Sequence, residues 1–127
     1  TRPGAKGAVL MHAAAPLDEF GGTWPDGLPL QMHTMEADGY GDADIAQQLA
    51  DTVETAELFL YPGDRHLFTD NSLSDYDEGA ATLVKQRVTE FLDDAAMRLY
   101  LPTTPLPRSL APYLAAARGG TRFPGHR

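Results

Sequence analysis

Three short, largely apolar runs constrain the fold of this 127-residue chain most strongly. The runs are Ala8–Met11, Leu30–Met35 and 57–61, and turn-forming or acidic residues separate them. The first run is continuously apolar, whereas Gln31 and His33 interrupt the second. Continuous rather than alternating hydrophobicity is typical of strands that are covered on both faces, as in parallel sheets. The runs therefore predict about three parallel strands in an α/β fold.

Helical patterns follow the second and third runs. Ile45, Leu49 and Val53 recur every fourth residue within 42–54, which predicts a helix with one apolar stripe. A longer helix is predicted for 77–96. This strand–helix alternation implies parallel strands with right-handed crossovers. The predicted buried face of the long helix consists of Leu83 or Val84, Val88, Phe91 or Leu92, and Ala95.

Charge divides the chain into an acidic body and a basic tail. All 18 acidic residues lie at or before Asp94, together with five basic ones. The body (1–97) is predicted to be one domain that repels phosphate backbones, so no nucleic-acid partner is expected. Residues 98–127 contain five arginines, five prolines and no acid. They predict an irregular or disordered tail, with 110–117 as a candidate short helix.

Composition also bears on the location of the protein. No apolar stretch approaches the roughly 18 residues that a membrane-spanning helix needs, so no membrane partner is expected. Cysteine is absent, which excludes disulfides and thiolate metal sites within the sequence. We therefore expect a cytoplasmic protein.

An aspartate and a histidine follow neighbouring strands. Asp38 comes after the second run and His66 after the third. The carboxyl ends of parallel strands meet at one edge, where open α/β sheets place their chemistry. A carboxylate bonded to Nδ1 of an imidazole fixes its tautomer and stabilises the imidazolium. Alone, Asp38 is typical of a turn and His66 of a solvated loop, but their joint order predicts an acid–base pair.

Three motifs in one order carry a family resemblance: Glu36-Ala37-Asp38, Tyr61-Pro62-Gly63-x-x-His66-x-Phe68, and Asp75-Tyr76-Asp77 before a helix with Arg87, Phe91 and Leu92. With these motifs, the sequence from Gly7 to about 96 resembles the C-terminal half of a dienelactone hydrolase family protein, an α/β-hydrolase. The resemblance implies Asp38 as the acid and His66 as the base of a catalytic triad that cleaves an ester or lactone. It implies no cofactor and no metal.

The sequence departs from the family pattern at two places. The family's Gly-x-[Cys/Ser]-x-Gly turn is missing, because Ser72, Ser74 and Ser109 lack the flanking glycines and follow the histidine. We expect the nucleophile upstream of this chain, as the order nucleophile, acid, histidine requires, and the chain alone to be inactive. Asp70 also lies where the family carries an arginine for a carboxylate, which favours a neutral ester or lactone as substrate.

Other interpretations remain open at this point. His12, Asp38 and His66 could form a metal set of two histidines and a carboxylate, although their spacing does not require one. The acids within 36–44 lack the spacing of an EF-hand, and His33 is predicted to be an interior or interface histidine. The chain could be a non-catalytic α/β interaction module or an inactive hydrolase fragment. A flavodoxin-type domain is disfavoured because no glycine-rich first loop is present. An unpaired sheet edge would favour self-association.

Overall fold

Three parallel strands form one sheet in the computed structural model, which describes residues 3–40 and 42–100. They are β1 (Ala8–Met11), β2 (Leu30–Met35) and β3 (Ala56–Tyr61), in the spatial order β1-β2-β3. The register pairs Met35 with Tyr61, so β2 and β3 end side by side. The predicted α/β class with three parallel strands is confirmed.

Two helices cover the two faces of this sheet. Helix α1 (Asp42–Thr52) connects β2 to β3, and helix α2 (Glu78–Tyr100) follows β3. The sequence analysis predicted that α2 ends at residue 96, but the helix continues to Tyr100. The first proline after it is Pro102, and a proline disfavours helical backbone in the residue before it. The predicted domain boundary at 97 stays a prediction. The tail and the candidate helix at 110–117 lie outside the described residues.

The first hydrophobic cluster lies between the sheet and α1. Leu30 and Met32 of β2 pack with Ala46 and Leu49 of α1, and all four are buried. Ala46 takes the place predicted for Ile45, which is only half-buried. Alternation along β2 sends its even-numbered side chains to this face.

The second cluster lies on the opposite face, under α2. Met35, Tyr61 and Phe68 are buried with Val84 of α2, and Phe68 is fully enclosed. Val84 rather than Leu83 therefore faces the sheet, as one of the two alternatives predicted. The site described below stands directly above this cluster, because Met35 and Tyr61 are the last residues of their strands.

The connection from β1 to β2 contains one short regular element that the sequence did not predict. A single 3-10 turn, Leu17–Phe20, ends at Gly21 with a left-handed backbone. Four residues are too few to carry a helical period, which explains the omission. Trp24 is partly buried against the first cluster, and its Nε1 donates to the carbonyl of Leu28 at 2.8 Å.

Candidate active site

The two loops after β2 and β3 are tied together beyond the ends of the strands. The backbone N–H of Glu36 donates to the carbonyl of Tyr61, and that of Ala37 donates to the carbonyl of Gly63, each at 2.9 Å. These bonds continue the parallel ladder into the loops. Asp38 and His66 are therefore held on neighbouring, connected segments at the carboxyl edge of the sheet.

Asp38 and His66 meet in a hydrogen bond. Nδ1 of His66 lies 2.7 Å from Oδ2 of Asp38, a length typical of a charge-assisted bond. The Asp38 side chain is completely shielded, whereas the His66 side chain retains 26% of its exposure. Because a carboxylate only accepts, Nδ1 is the donor of this bond, which leaves Nε2 on the other side of the ring available to a further partner. The predicted juxtaposition of these residues is present.

Tyr40 completes the surroundings of this pair. Its backbone N–H donates to Oδ1 of Asp38 at 3.0 Å, so both carboxylate oxygens accept a hydrogen bond. The Tyr40 ring lies 4.4 Å from the His66 ring between centroids, and Tyr40 is 76% exposed. The sequence analysis did not single out Tyr40. Its place two residues after Asp38, typical of an Asx turn, was the available signal.

His12 approaches the pair from the end of β1. Its Nε2 lies 2.7 Å from the Thr69 hydroxyl, and its ring centroid is 6.4 Å from that of His66. Burial, followed by the His66 ring, lowers the pKa of His12, while the His66 backbone and Asp38 oppose this less strongly. Within residues 3–40 and 42–100, no three histidine or acidic side chains are grouped as metal ligands.

His33 lies in the interior, away from the pair. Tyr61 O–H bonds to its Nδ1 at 2.9 Å, and its Nε2 bonds to Oε1 of Gln31 at 2.9 Å. Burial, followed by Arg87 and His12, lowers the pKa of His33 to about 4. Both ring nitrogens are occupied, which confirms the prediction of an interior histidine.

Two charged residues flank His66 in sequence: Arg65 precedes it directly, and Asp70 follows it by four positions. The Asp70 carboxylate accepts bonds from the Ser72 amide at 2.9 Å and hydroxyl at 2.6 Å, which lower its pKa. Nη1 of Arg65 donates to the carbonyl of Tyr76 at 2.8 Å. The loop after His66 thus carries an exposed negative charge where an arginine would attract a carboxylate.

The comparison with protein families supports the same architecture. A family model described as the dienelactone hydrolase family matches residues 1–96. The chain belongs to the dienelactone hydrolase family. That membership indicates hydrolase activity in general and agrees with the partial α/β fold. No curated protein matches the chain. Across the described ranges, neither helix has the length and apolar character needed to cross a bilayer.

Proposed function

We propose that the intact protein to which this chain belongs hydrolyses a neutral ester or lactone through a covalent acyl intermediate. The observation that supports this most directly is the 2.7 Å bond between Nδ1 of His66 and the shielded carboxylate of Asp38. In this proposal Asp38 orients the base and stabilises its imidazolium form, as a triad acid does. The serine or cysteine nucleophile lies on a segment that precedes this sequence in the intact protein.

The proposed reaction follows the usual acyl-transfer sequence. Nε2 of His66 takes the proton of the nucleophile as its oxygen or sulfur bonds to the substrate carbonyl carbon. The bond to the leaving alkoxide then breaks, and the same imidazolium returns its proton to that oxygen. His66 then deprotonates a water as its oxygen bonds to the acyl carbon. The bond from that carbon to the nucleophile breaks, His66 returns the proton to the nucleophile, and the acid product is released. No metal or organic cofactor enters these steps.

Charge near the base supports a neutral substrate. The exposed Asp70 carboxylate follows His66 by four residues, and its hydrogen bonds to Ser72 favour the ionised form. A substrate carboxylate that entered from this side would meet a like charge. A neutral ester or lactone avoids that repulsion, which is why we favour it over a lactone acid.

The cytoplasmic location stays a prediction from the lack of cysteine.

The interaction-module alternative receives less support. It would leave Asp38 and His66 free to point apart, since no chemistry would join them. A completely shielded carboxylate is costly unless its oxygens are bonded, and here both are used, by His66 and by the Tyr40 amide. This arrangement supports the hydrolase proposal.

The test uses the intact gene product, including the coding segment upstream of Thr1. We expect it to hydrolyse neutral aryl esters or lactones, and Asp38→Asn to lower kcat by about 10⁴ because the tautomer is lost. His66→Ala should lose comparable activity. Asp70→Asn is the matched control: it removes a loop carboxylate outside the pair, should keep activity on neutral esters and should improve activity on a carboxylate-bearing ester.

The opposite results would overturn the proposal. Asp38→Asn and His66→Ala enzymes that hydrolyse at the wild-type rate would remove these residues from the mechanism. An intact protein without hydrolysis of any neutral ester or lactone would favour the interaction module. For residues 1–127 alone, we expect no labelling by active-serine or active-cysteine reagents, and labelling at a single site would contradict the upstream nucleophile.

A further inference from the structure

His12 has an unusual backbone conformation. Its φ is 67°, and among the described residues it is the one residue other than glycine with a positive φ. A side chain with a Cβ is disfavoured in this region, and such strain persists where the surroundings hold it. The His12 amide donates to the carbonyl of His33 at 2.9 Å, so the strained residue is still anchored to β2.

The strained backbone directs the His12 ring against the loop that carries His66. Nε2 of His12 bonds to the Thr69 hydroxyl at 2.7 Å. The same ring stands edge-on to Phe68, with 4.8 Å between centroids, and Phe68 is fully buried. His12 therefore contacts two residues of the 66–69 loop and lies 6.4 Å from the His66 ring.

The other nitrogen of His12 indicates which form of the ring is present. Nδ1 is buried and has no hydrogen-bond partner within the described part of the chain. A proton there would be an unsatisfied buried donor, so the neutral ring that donates from Nε2 to Thr69 is favoured. A neutral His12 does not compete with His66 for the Asp38 carboxylate.

We propose that His12 is a positioning residue that holds the 66–69 loop, through Thr69 and Phe68, so that Nδ1 of His66 stays bonded to Asp38. In naming His66 as the base, this inference rests on the proposed function. His12 itself reaches the reacting atoms only through the loop.

The test measures histidine ring protons of residues 1–127 by NMR. Thr69→Val removes one hydroxyl at constant volume, and His12→Gly removes the ring and relieves the positive φ. Both should raise the exchange rate of the His66 Nδ1 proton about tenfold, the effect of losing one hydrogen bond. His12→Gln retains a donor at the distance of Nε2 and should restore most of the protection. Thr82→Val, at an exposed helical threonine, is the matched control.

The ring proton of His33 serves as a reference in the same spectra, because the His33 ring nitrogens bond to Tyr61 and Gln31 and to no residue of the 66–69 loop. A merely structural role of His12 would accelerate exchange at both histidines and leave their ratio unchanged. That result, or an unchanged His66 proton in Thr69→Val, would overturn the inference. If His12→Gly does not fold, Thr69→Val decides alone. Hydrolysis by the intact protein is measured separately, so the proposed function can fail while the positioning stands, or the reverse.

Discussion

The two members of the acid–base pair differ sharply in their access to solvent. The Asp38 side chain is completely shielded, and the His66 side chain is 26% exposed. Asp38 can therefore act on a substrate only through His66, whereas His66 can receive a proton from outside. The difference arises because Asp38 lies in a tight turn that folds back on the end of β2, with its amide bonded to the carbonyl of Met35 at 3.3 Å.

His33 should make stability depend on pH in the weakly acidic range. Its pKa is about 4 in the folded chain and 6.5 when unperturbed. Above pH 6.5 neither state binds the proton. As pH falls from 6.5 towards 4, the unfolded chain binds the proton before the folded chain does, so the free energy of unfolding decreases. Below pH 4 both states carry the proton, and His33 causes no further decrease. We expect a loss of about 2 kcal/mol between pH 7 and pH 5 from His33.

Urea denaturation at those two pH values measures this loss. His33→Gln lacks the titrating ring and should lose less stability over the same interval. The lowered pKa of His12 acts in the same direction and accounts for part of the remaining loss in the variant. An equal loss in His33→Gln and in the wild type would show that His33 is not responsible.

At the scale of the elements, Gly63 links the end of β3 to the Asp38 turn. Its φ is 131°, and a Cβ there would meet Sδ of the buried Met35 at 2.8 Å. Its carbonyl accepts the bond from Ala37. Gly63→Ala should destabilise the chain by about 1–3 kcal/mol, because a disfavoured backbone and a close contact are combined. Gly39→Ala is the matched control, since a Cβ at Gly39 meets no atom within 4 Å.

Thermal melting of the two glycine variants provides the measurement. The expected order is a clear fall in melting temperature for Gly63→Ala and little change for Gly39→Ala. Equal melting temperatures would mean that Met35 and the loop after β3 adjust without cost, and that Gly63 does not constrain the loop.

Sequence periodicity predicted most of the elements. The bounds of β1 and β2 agree with the structure. The run in β1 is continuously apolar, and the acidic Glu36 follows the last residue of β2. Helix α1 ends at Thr52, two residues earlier than predicted, because the chain turns there so that the Ala56 amide bonds to the carbonyl of Val53. The periodicity of apolar residues along the sequence carries no signal for such a turn.

The site was partly predictable for a different reason. The proximity of Asp38 and His66 could be predicted because the parallel register places the ends of β2 and β3 side by side. Their catalytic roles stay a prediction. The contact of His12 with Thr69 joins residues 57 positions apart and depends on a left-handed backbone, for which the sequence carries no signal. The network of Gln31, His33 and Tyr61 depends likewise on packing across strands.

At the scale of the whole molecule, β1 lies at one edge of the described sheet. Its partner on one side is β2, and no strand among the described residues pairs with its other side. The amides of Ala8 and His12 point towards β2, where they bond to Pro29 and His33. In a parallel ladder the amides of the intervening odd-numbered residues point outwards. An edge of this kind invites pairing with another chain.

We expect residues 1–127 to self-associate through β1. Val9→Pro removes an outward-pointing amide, which edge strands tolerate, and should shift sedimentation towards the monomer. Ala8→Pro is the matched control: it removes the inward bond to Pro29 and should destabilise the chain without specifically reducing association. A wild-type chain that sediments as a monomer and melts at a temperature independent of its concentration would contradict this prediction.

The acid and the base are both delivered by the adjoining strands β2 and β3, within the span from Leu30 to Phe68. A recombination crossover before β1 would therefore transfer these two side chains together with His12, which contacts Thr69 in the loop that carries His66. Chimaeras that exchange everything ahead of β1 would keep the Asp38–His66 hydrogen bond together with the contacts of His12, which makes that boundary a rational place to join homologous sequences.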